Sequence, residues 1–175
     1  MVVGEGPGET EDKLGRPFVG RAGELLDKML GAIDLPREDV FICNTVKCRP
    51  TLDDGGKKLR NRAPDPIELK NCRAYLDEQI AIVRPEIILA LGAPAAKSFM
   101  GDKFSITKQR GQWFEGPEGI AVIATFHPAY ILRQTGGELN AMKRLVWEDL
   151  KRVRARLDEP PAPPTVEASQ DSLFD

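Results

Sequence analysis

A single histidine occurs in this chain of 175 residues, His127, and it lies in Phe126-His127-Pro128-Ala129-Tyr130 directly after an apolar run. A lone histidine is more often a structural hydrogen-bonding group than a catalyst. A place between a strand and a proline turn favours the second role, because an imidazole can hold or release a proton near neutral pH. The glycine-rich turn Gly4-Glu5-Gly6-Pro7-Gly8 is another candidate, with Glu9, Glu11 and Asp12 close behind it. Turns of this kind bind phosphates, pack backbones or simply reverse the chain. This one lacks the lysine of a P-loop, and Pro7 removes one N–H donor, which weighs against a nucleotide-binding or phosphotransfer protein. Asn44 offers an amide donor and an amide acceptor side by side. Cys43, Cys48 and Cys72 are an odd set of three, so they read as free thiols or metal ligands rather than a disulfide framework. Lys47, Arg49, Lys57, Lys58, Arg60 and Arg62 fall within 16 residues whose only acids are Asp53 and Asp54. That run is either a phosphate-facing loop or a solvated one.

These residues need elements to position them. Met1-Val2-Val3 reads as the end of a buried strand, Val40-Phe41-Ile42-Cys43 as a second, and Ile87-Ile88-Leu89-Ala90-Leu91 as a third. Gln112–Glu115 and Ile120–Thr125 form a hairpin or strand pair. Between them Ala22, Leu25, Leu26, Met29, Leu30 and Ile33 recur at helical spacing. Pro66 opens a helical stretch through Val83, a short helix spans Ala93–Met100, and residues 138–157 form a basic amphipathic helix. Residues 44–65 read as a long polar loop. Strands alternating with helices predict an α/β fold, three-layer α/β/α with a central, mainly parallel four-stranded sheet. In such a sheet the ligand site forms at the carboxyl ends of the strands. Gly4–Gly8, Asn44 and His127 each follow a strand, so they converge on one mouth.

Composition supports this organisation. With 41% hydrophobic and 30% charged residues the chain can fill one core, which excludes disorder over its whole length. No apolar run approaches the roughly 18–20 residues that cross a bilayer, and the N-terminus lacks a signal-peptide layout, so a cytoplasmic protein without membrane attachment is expected. The net charge of −2 averages two unlike regions. Residues 158–175 hold Asp158, Glu159, Glu167, Asp171 and Asp175 and no Lys or Arg, which leaves the body with 25 basic against 22 acidic residues.

Four segments together carry a resemblance. Gly4-Glu5-Gly6-Pro7-Gly8-Glu9, Gly15-Arg16-Pro17-Phe18-Val19-Gly20-Arg21-Ala22-Gly23, Asn44 with Lys47-Cys48-Arg49-Pro50, and Phe126-His127-Pro128-Ala129-Tyr130 closely resemble the iron–sulfur (family 4) uracil-DNA glycosylases, in order, from residue 1 to about 157. The resemblance implies a monomeric DNA-repair enzyme that hydrolyses the N-glycosidic bond of deoxyuridine in DNA and leaves an abasic site. A duplex hides its bases, so such an enzyme flips the nucleotide into a pocket and reads its Watson–Crick edge. Asn44 suits uracil O4 and N3–H, Phe18 would stack on the ring, and backbone N–H groups around Gly6 and Gly8 would add donors. His127 would stabilise the charge that develops on the departing base. Glu11 is expected to position water and Glu5 to form the pocket. For Glu9, Glu11 and Asp12 the alternative is a solvated acidic turn. Tyr130, Ile131, Leu132 and Arg133 follow the His-Pro turn, where related enzymes enter the minor groove, although ordinary helix-start packing accounts for them equally well.

The chain departs from that pattern in two places. The resemblance implies four thiolates around a 4Fe-4S cluster, of which only Cys48 and Cys72 match, and two thiolates cannot hold one. A Cys-x-x-Cys upstream of Met1 is the expected source of the others, and a cluster-free variant is the alternative. The stretch Leu52–Arg60 lengthens the link between Cys48 and Cys72, where a related uracil-crosslinking family carries a loop ending in a nucleophilic histidine. Asn61 takes that place here and Gly6 stands where those relatives have Gln, so turnover is expected instead of covalent capture. A non-catalytic or truncated uracil- or damaged-DNA-binding protein of the same fold is the second reading. Beyond the glycosylase-like domain at 1–157, residues 158–175 read as a disordered, acidic, Pro-rich tail ending in Gln170-Asp171-Ser172-Leu173-Phe174. That peptide resembles the motif by which bacterial repair proteins dock on the sliding clamp, with Gln170, Leu173 and Phe174 as the contacts.

Overall fold

The computed structural model describes residues 1–52, 55 and 59–159. Strand β1 (Val2–Gly4) leads into helices α1 (Glu9–Leu14) and α2 (Arg21–Gly31), and strand β2 (Ile42–Asn44) follows. A two-stranded antiparallel ribbon, β3 (Thr51–Leu52) and β4 (Arg60–Asn61), precedes helix α3 (Pro66–Val83), strand β5 (Ile87–Leu91) and helix α4 (Gly92–Met100). Helix α5 (Ile106–Gln109), strands β6 (Trp113–Glu115) and β7 (Ala121–Thr125), and helices α6 (Pro128–Ile131) and α7 (Gly136–Asp158) complete the described chain.

The sheet has five strands in the order β2-β1-β5-β7-β6, not the four expected. The additional member is β6, which pairs antiparallel with β7 at the edge, Trp113 opposite Ile123 and Glu115 opposite Ala121. This is the strand pair expected at Gln112–Glu115 and Ile120–Thr125; the largely exposed side chains of β6 carry no apolar alternation strong enough to mark it as a further member of the main sheet. The ribbon inside 44–65 was hidden for the same reason: its four residues are all polar except Leu52. The other strands are parallel, as expected.

Both faces of the sheet are covered, which is why β5 reads as an unbroken apolar run with every residue buried. Val2, Leu89, Leu91 and Ile123 point to one face and pack with Leu26 and Leu30 of α2, Ile131 of α6 and Leu150 of α7. Val3, Ile88 and Val122 point to the other, against Leu76 and Ile80 of α3. On that same face Ala90 and Ala124 meet Ala95 and Ala96, and small residues on both sides let α4 lie close to the sheet. Helix α3 starts where the sequence indicates: Pro66 fills its first turn, and Asp65 and Glu68 form a reciprocal capping box, the Asp65 carboxylate accepting from Ile67 N–H and Glu68 N–H at 2.8 Å.

Register brings the site together. Gly4 lies opposite Asn44 and Leu91 opposite Thr125, so the carboxyl ends of all four parallel strands finish at one edge. No helix among the described residues is long and apolar enough to cross a membrane.

Candidate active site

A cleft of about 680 Å³ opens at that edge, lined by Glu5–Gly8, Glu11, Phe18, Asn44, Asn61, Gly92, His127, Tyr130 and Arg133 among others. The three strand-end segments singled out in the sequence therefore do converge. Asn44 ends β2, is 5% exposed, and its Oδ1 has no hydrogen-bond partner among the described residues. A buried carbonyl oxygen without a donor costs about 1–3 kcal/mol, a cost that a ligand N–H would remove. Gly4 makes this placement possible. A Cβ there would stand 2.5 Å from both Asn44 Oδ1 and the Phe18 ring, so only glycine lets the two side chains meet over the end of β1.

His127 caps α6, its Nδ1 accepting the Ala129 N–H at 3.0 Å. A ring nitrogen that accepts carries no proton, so the neutral imidazole holds its proton on Nε2, the donor left for a ligand. Burial first, then the Arg133 charge, push the imidazole down to about 4, which keeps it neutral at physiological pH. The ring lies 5.5 Å from Phe18, and Gly92, at φ +86°, lets the start of α4 pass beneath it; a Cβ there would be 3.1 Å from that of His127.

The two glutamates differ. Burial raises the Glu5 carboxyl above its ordinary value, and its side chain is half-buried in the cleft wall. Glu11 is partly engaged: its Oε1 accepts the N–H groups of Val19 and Gly20 at 3.0 and 2.8 Å, which fixes the carboxylate and leaves Oε2 beside Gly8. Gly6 lines the cleft and packs against Val46.

After the His-Pro turn, the candidates for DNA contact separate by burial. Tyr130 and Leu132 are 39% and 40% exposed, and Arg133 is exposed. Ile131 is 2% exposed and belongs to the core against α2 and α7, so it is corrected from a DNA-facing position to a structural one. A one-turn helix necessarily turns one of four consecutive residues inward, and the apolar pattern alone does not say which. Tyr130 stacks on Phe126 at 5.6 Å with the Arg133 guanidinium 5.9 Å above it. Phe126 in turn carries Arg110 at 5.7 Å, and Arg110 pairs with the buried Asp149, which also accepts from Thr125 Oγ1 at 2.7 Å. Sequence reasoning missed this chain of contacts from α7 to the cleft; an aspartate inside the apolar periodicity of α7 was its only trace.

The thiols lie elsewhere. Cys43 faces the core, where burial pushes it up to about 11 and makes it inert. Cys72, on α3, accepts the Lys47 N–H at 3.4 Å, one residue before the exposed Cys48. Lys47 Nζ donates to the Asn44 carbonyl at 2.7 Å and to Gln79 at 2.6 Å, tying the thiol region to β2. Among the described residues no three His, Cys, Asp or Glu side chains gather to hold a metal, so Cys48 and Cys72 do not by themselves fit a four-thiolate cluster. Asn61 holds its place in β4 by accepting from Arg49 Nε at 2.7 Å, and Arg62 forks onto Glu68, holding that carboxyl down at about 2. Gln170, Leu173 and Phe174 lie outside the described residues, as does the tail from residue 160.

Fold and cleft thus define an α/β protein whose parallel strands end around a pocket with a buried amide, a neutral imidazole and the Phe18 ring. Residues 1–151 match the Uracil DNA glycosylase superfamily, and the chain belongs to it. It is 49% identical over 156 residues to a type-4 uracil-DNA glycosylase of Thermotoga maritima, covering 89% of this chain and 76% of that protein. A type-4 uracil-DNA glycosylase of Sulfurisphaera tokodaii is 44% identical over 162 residues, 88% of this chain and 68% of that protein. One of Pyrobaculum aerophilum is 42% identical over 143 residues, 77% of this chain and 68% of that protein.

Proposed function

We propose that this chain removes uracil from DNA, hydrolysing the N-glycosidic bond of deoxyuridine to give free uracil and an abasic site. The observation that carries the reading is Asn44 Oδ1, without a partner among the described residues, buried beside Phe18 and in one cleft with His127. Oδ1 accepts uracil N3–H and the adjacent amide NH₂ donates to O4; cytosine presents the opposite pattern at both atoms. Phe18 stacks on the ring. As the C1′–N1 bond breaks, the electron pair goes to the base, and His127 Nε2–H donates to O2 of the forming uracil anion. Water, positioned by Glu11 Oε2, adds to C1′ and passes its proton to the Glu11 carboxylate, which returns it to solvent; until that addition the carboxylates of Glu5 and Glu11 balance positive charge on the sugar. Cys48 and Cys72 are proposed as two of the four thiolates of a 4Fe-4S cluster, and none of these steps passes through iron. The test is release of base from oligonucleotides carrying uracil, cytosine or thymine at one position. Release from the uracil strand alone supports the reading; binding without release favours the damaged-DNA-binding alternative.

The state of His127 can be read directly, since it is the only histidine. Its imidazole resonance should titrate with a midpoint near 4, because the fold holds the neutral form. A midpoint at the unperturbed value of about 6.5 would show that the fold does not favour the neutral ring, and one above neutrality would remove the neutral donor from the mechanism.

Tyr130 and Leu132 are proposed to fill the space left by the flipped base, with Arg133 on a phosphate. Replacing Tyr130 and Leu132 together with Ala should lower activity on duplex DNA about tenfold more than on single strands, since only the duplex has a stack to hold open. An equal loss on both substrates would reject the wedge. For the C-terminal peptide, binding of residues 165–175 to a bacterial sliding clamp is expected at about micromolar Kd and should vanish when Leu173 and Phe174 are both Ala. Undiminished binding by the double variant would end that proposal.

A further inference from the structure

We infer that Arg37, which lies outside the cleft, is a positioning residue that sets the stacking geometry of Phe18; this rests on the reading of the cleft as a uracil pocket. Phe18 has φ +52°, a backbone conformation that L side chains rarely adopt. Its carbonyl is pressed against α2, where a Cβ on Gly23 would lie 1.9 Å from Phe18 O. From behind the loop the Arg37 guanidinium donates from Nη1 to Phe18 O at 3.0 Å and from Nη2 to Pro17 O at 2.7 Å. Nη1 also donates to Asp27 Oδ1 at 2.8 Å, so α2 aims the fork.

Two consecutive carbonyls are thus held from one side while Glu11 holds the next two N–H groups, of Val19 and Gly20, from the other. Arg37 lines a separate cavity of about 520 Å³ with Leu14, Pro17 and Val40, and it makes no part of the cleft wall. The Arg37–Asp27 pair is partly exposed and contributes little stability by itself. What the guanidinium fixes is the direction of two peptide planes. Without it, Phe18 can relax toward negative φ, which swings the ring away from Asn44 and His127.

The experiment is a double-mutant cycle of Arg37→Met and Phe18→Ala in the full chain, read by single-turnover uracil release and by inhibition with free uracil, with Tm measured for each variant. Arg37→Met should cut single-turnover activity about tenfold and raise the uracil inhibition constant by a similar factor, yet cost less than about twofold more in a Phe18→Ala background. A merely structural role would lower the active fraction and leave the inhibition constant unmoved. The inference is overturned if Arg37→Met costs as much in the Phe18→Ala background as in the wild type, or leaves uracil inhibition unchanged. Should Arg37→Met fail to fold, Arg37→Lys, which keeps the pair with Asp27 but not the planar fork, takes its place with the same criteria. Wild-type chain that binds uracil but releases none rejects the glycosylase reading while the binding arm still decides Arg37; wild type that releases uracil without being inhibited by it leaves that reading standing and overturns the Arg37 inference, and wild type that neither releases nor binds uracil overturns both.

Discussion

His127→Ala is expected to slow uracil release by about 10²–10³-fold at saturating DNA, the effect of deleting one preorganised donor to a developing oxyanion. The loss should fall on kcat and leave KM nearly unchanged. Nε2–H meets a neutral carbonyl oxygen in the bound substrate and an anion only as the glycosidic bond breaks, so its hydrogen bond strengthens between the two states. The geometry that makes this donor effective is already in place: Ala129 N–H occupies Nδ1 at 3.0 Å, and Phe18 and Gly92 enclose the ring. Single-turnover rates at saturating enzyme isolate the chemical step. A variant with wild-type rate and weakened binding would move His127 from stabilising the leaving group to holding the substrate.

Asn44→Ala should have a loss on the order of 10³ in kcat/KM, because two polar atoms of uracil would then enter a closed pocket with no partner, at about 1–3 kcal/mol each. Discrimination should collapse with it. A site built to pair with a polar edge rejects the wrong edge strongly, whereas an Ala-lined pocket cannot tell uracil from cytosine by hydrogen bonding. The ratio of kcat/KM for uracil and cytosine strands measures this. If Asn44→Ala kept both the rate and the ratio, the buried Oδ1 would need another explanation.

Much of this arrangement was legible in the sequence because long apolar runs and strand-end residues carry strong signals. Val2-Val3 and Ile87–Leu91 are buried on both faces, and the residues that follow them reach the same edge by parallel register. What was not legible depends on short or non-local features. The ribbon β3–β4 has two residues in each strand, too few for a period to appear, and the strand pair at β6–β7 was legible while the place of its short first strand in the main sheet was not. Ile131 read as a wedge residue because four consecutive residues after a proline turn look alike until the helix is placed on the core. Gly4 read as one of several glycines in a glycine-rich turn, yet its need for no side chain comes from Asn44, forty residues away, and from Phe18. The engagement of Glu11 with Val19 and Gly20, and of Arg110 with Asp149, likewise depends on the folded chain and leaves no local pattern.

The most direct test of the account is to incubate the chain in excess with DNA containing one deoxyuridine and to follow both products, free uracil by chromatography and the strand by alkaline cleavage, while mass spectrometry records the protein. The account predicts one uracil per strand, an alkali-labile abasic site, unmodified protein, and a rate reduced by His127→Ala and by Asn44→Ala. Intact deoxyuridine in stably bound DNA, or uracil loss coupled to a protein–DNA adduct, would contradict it.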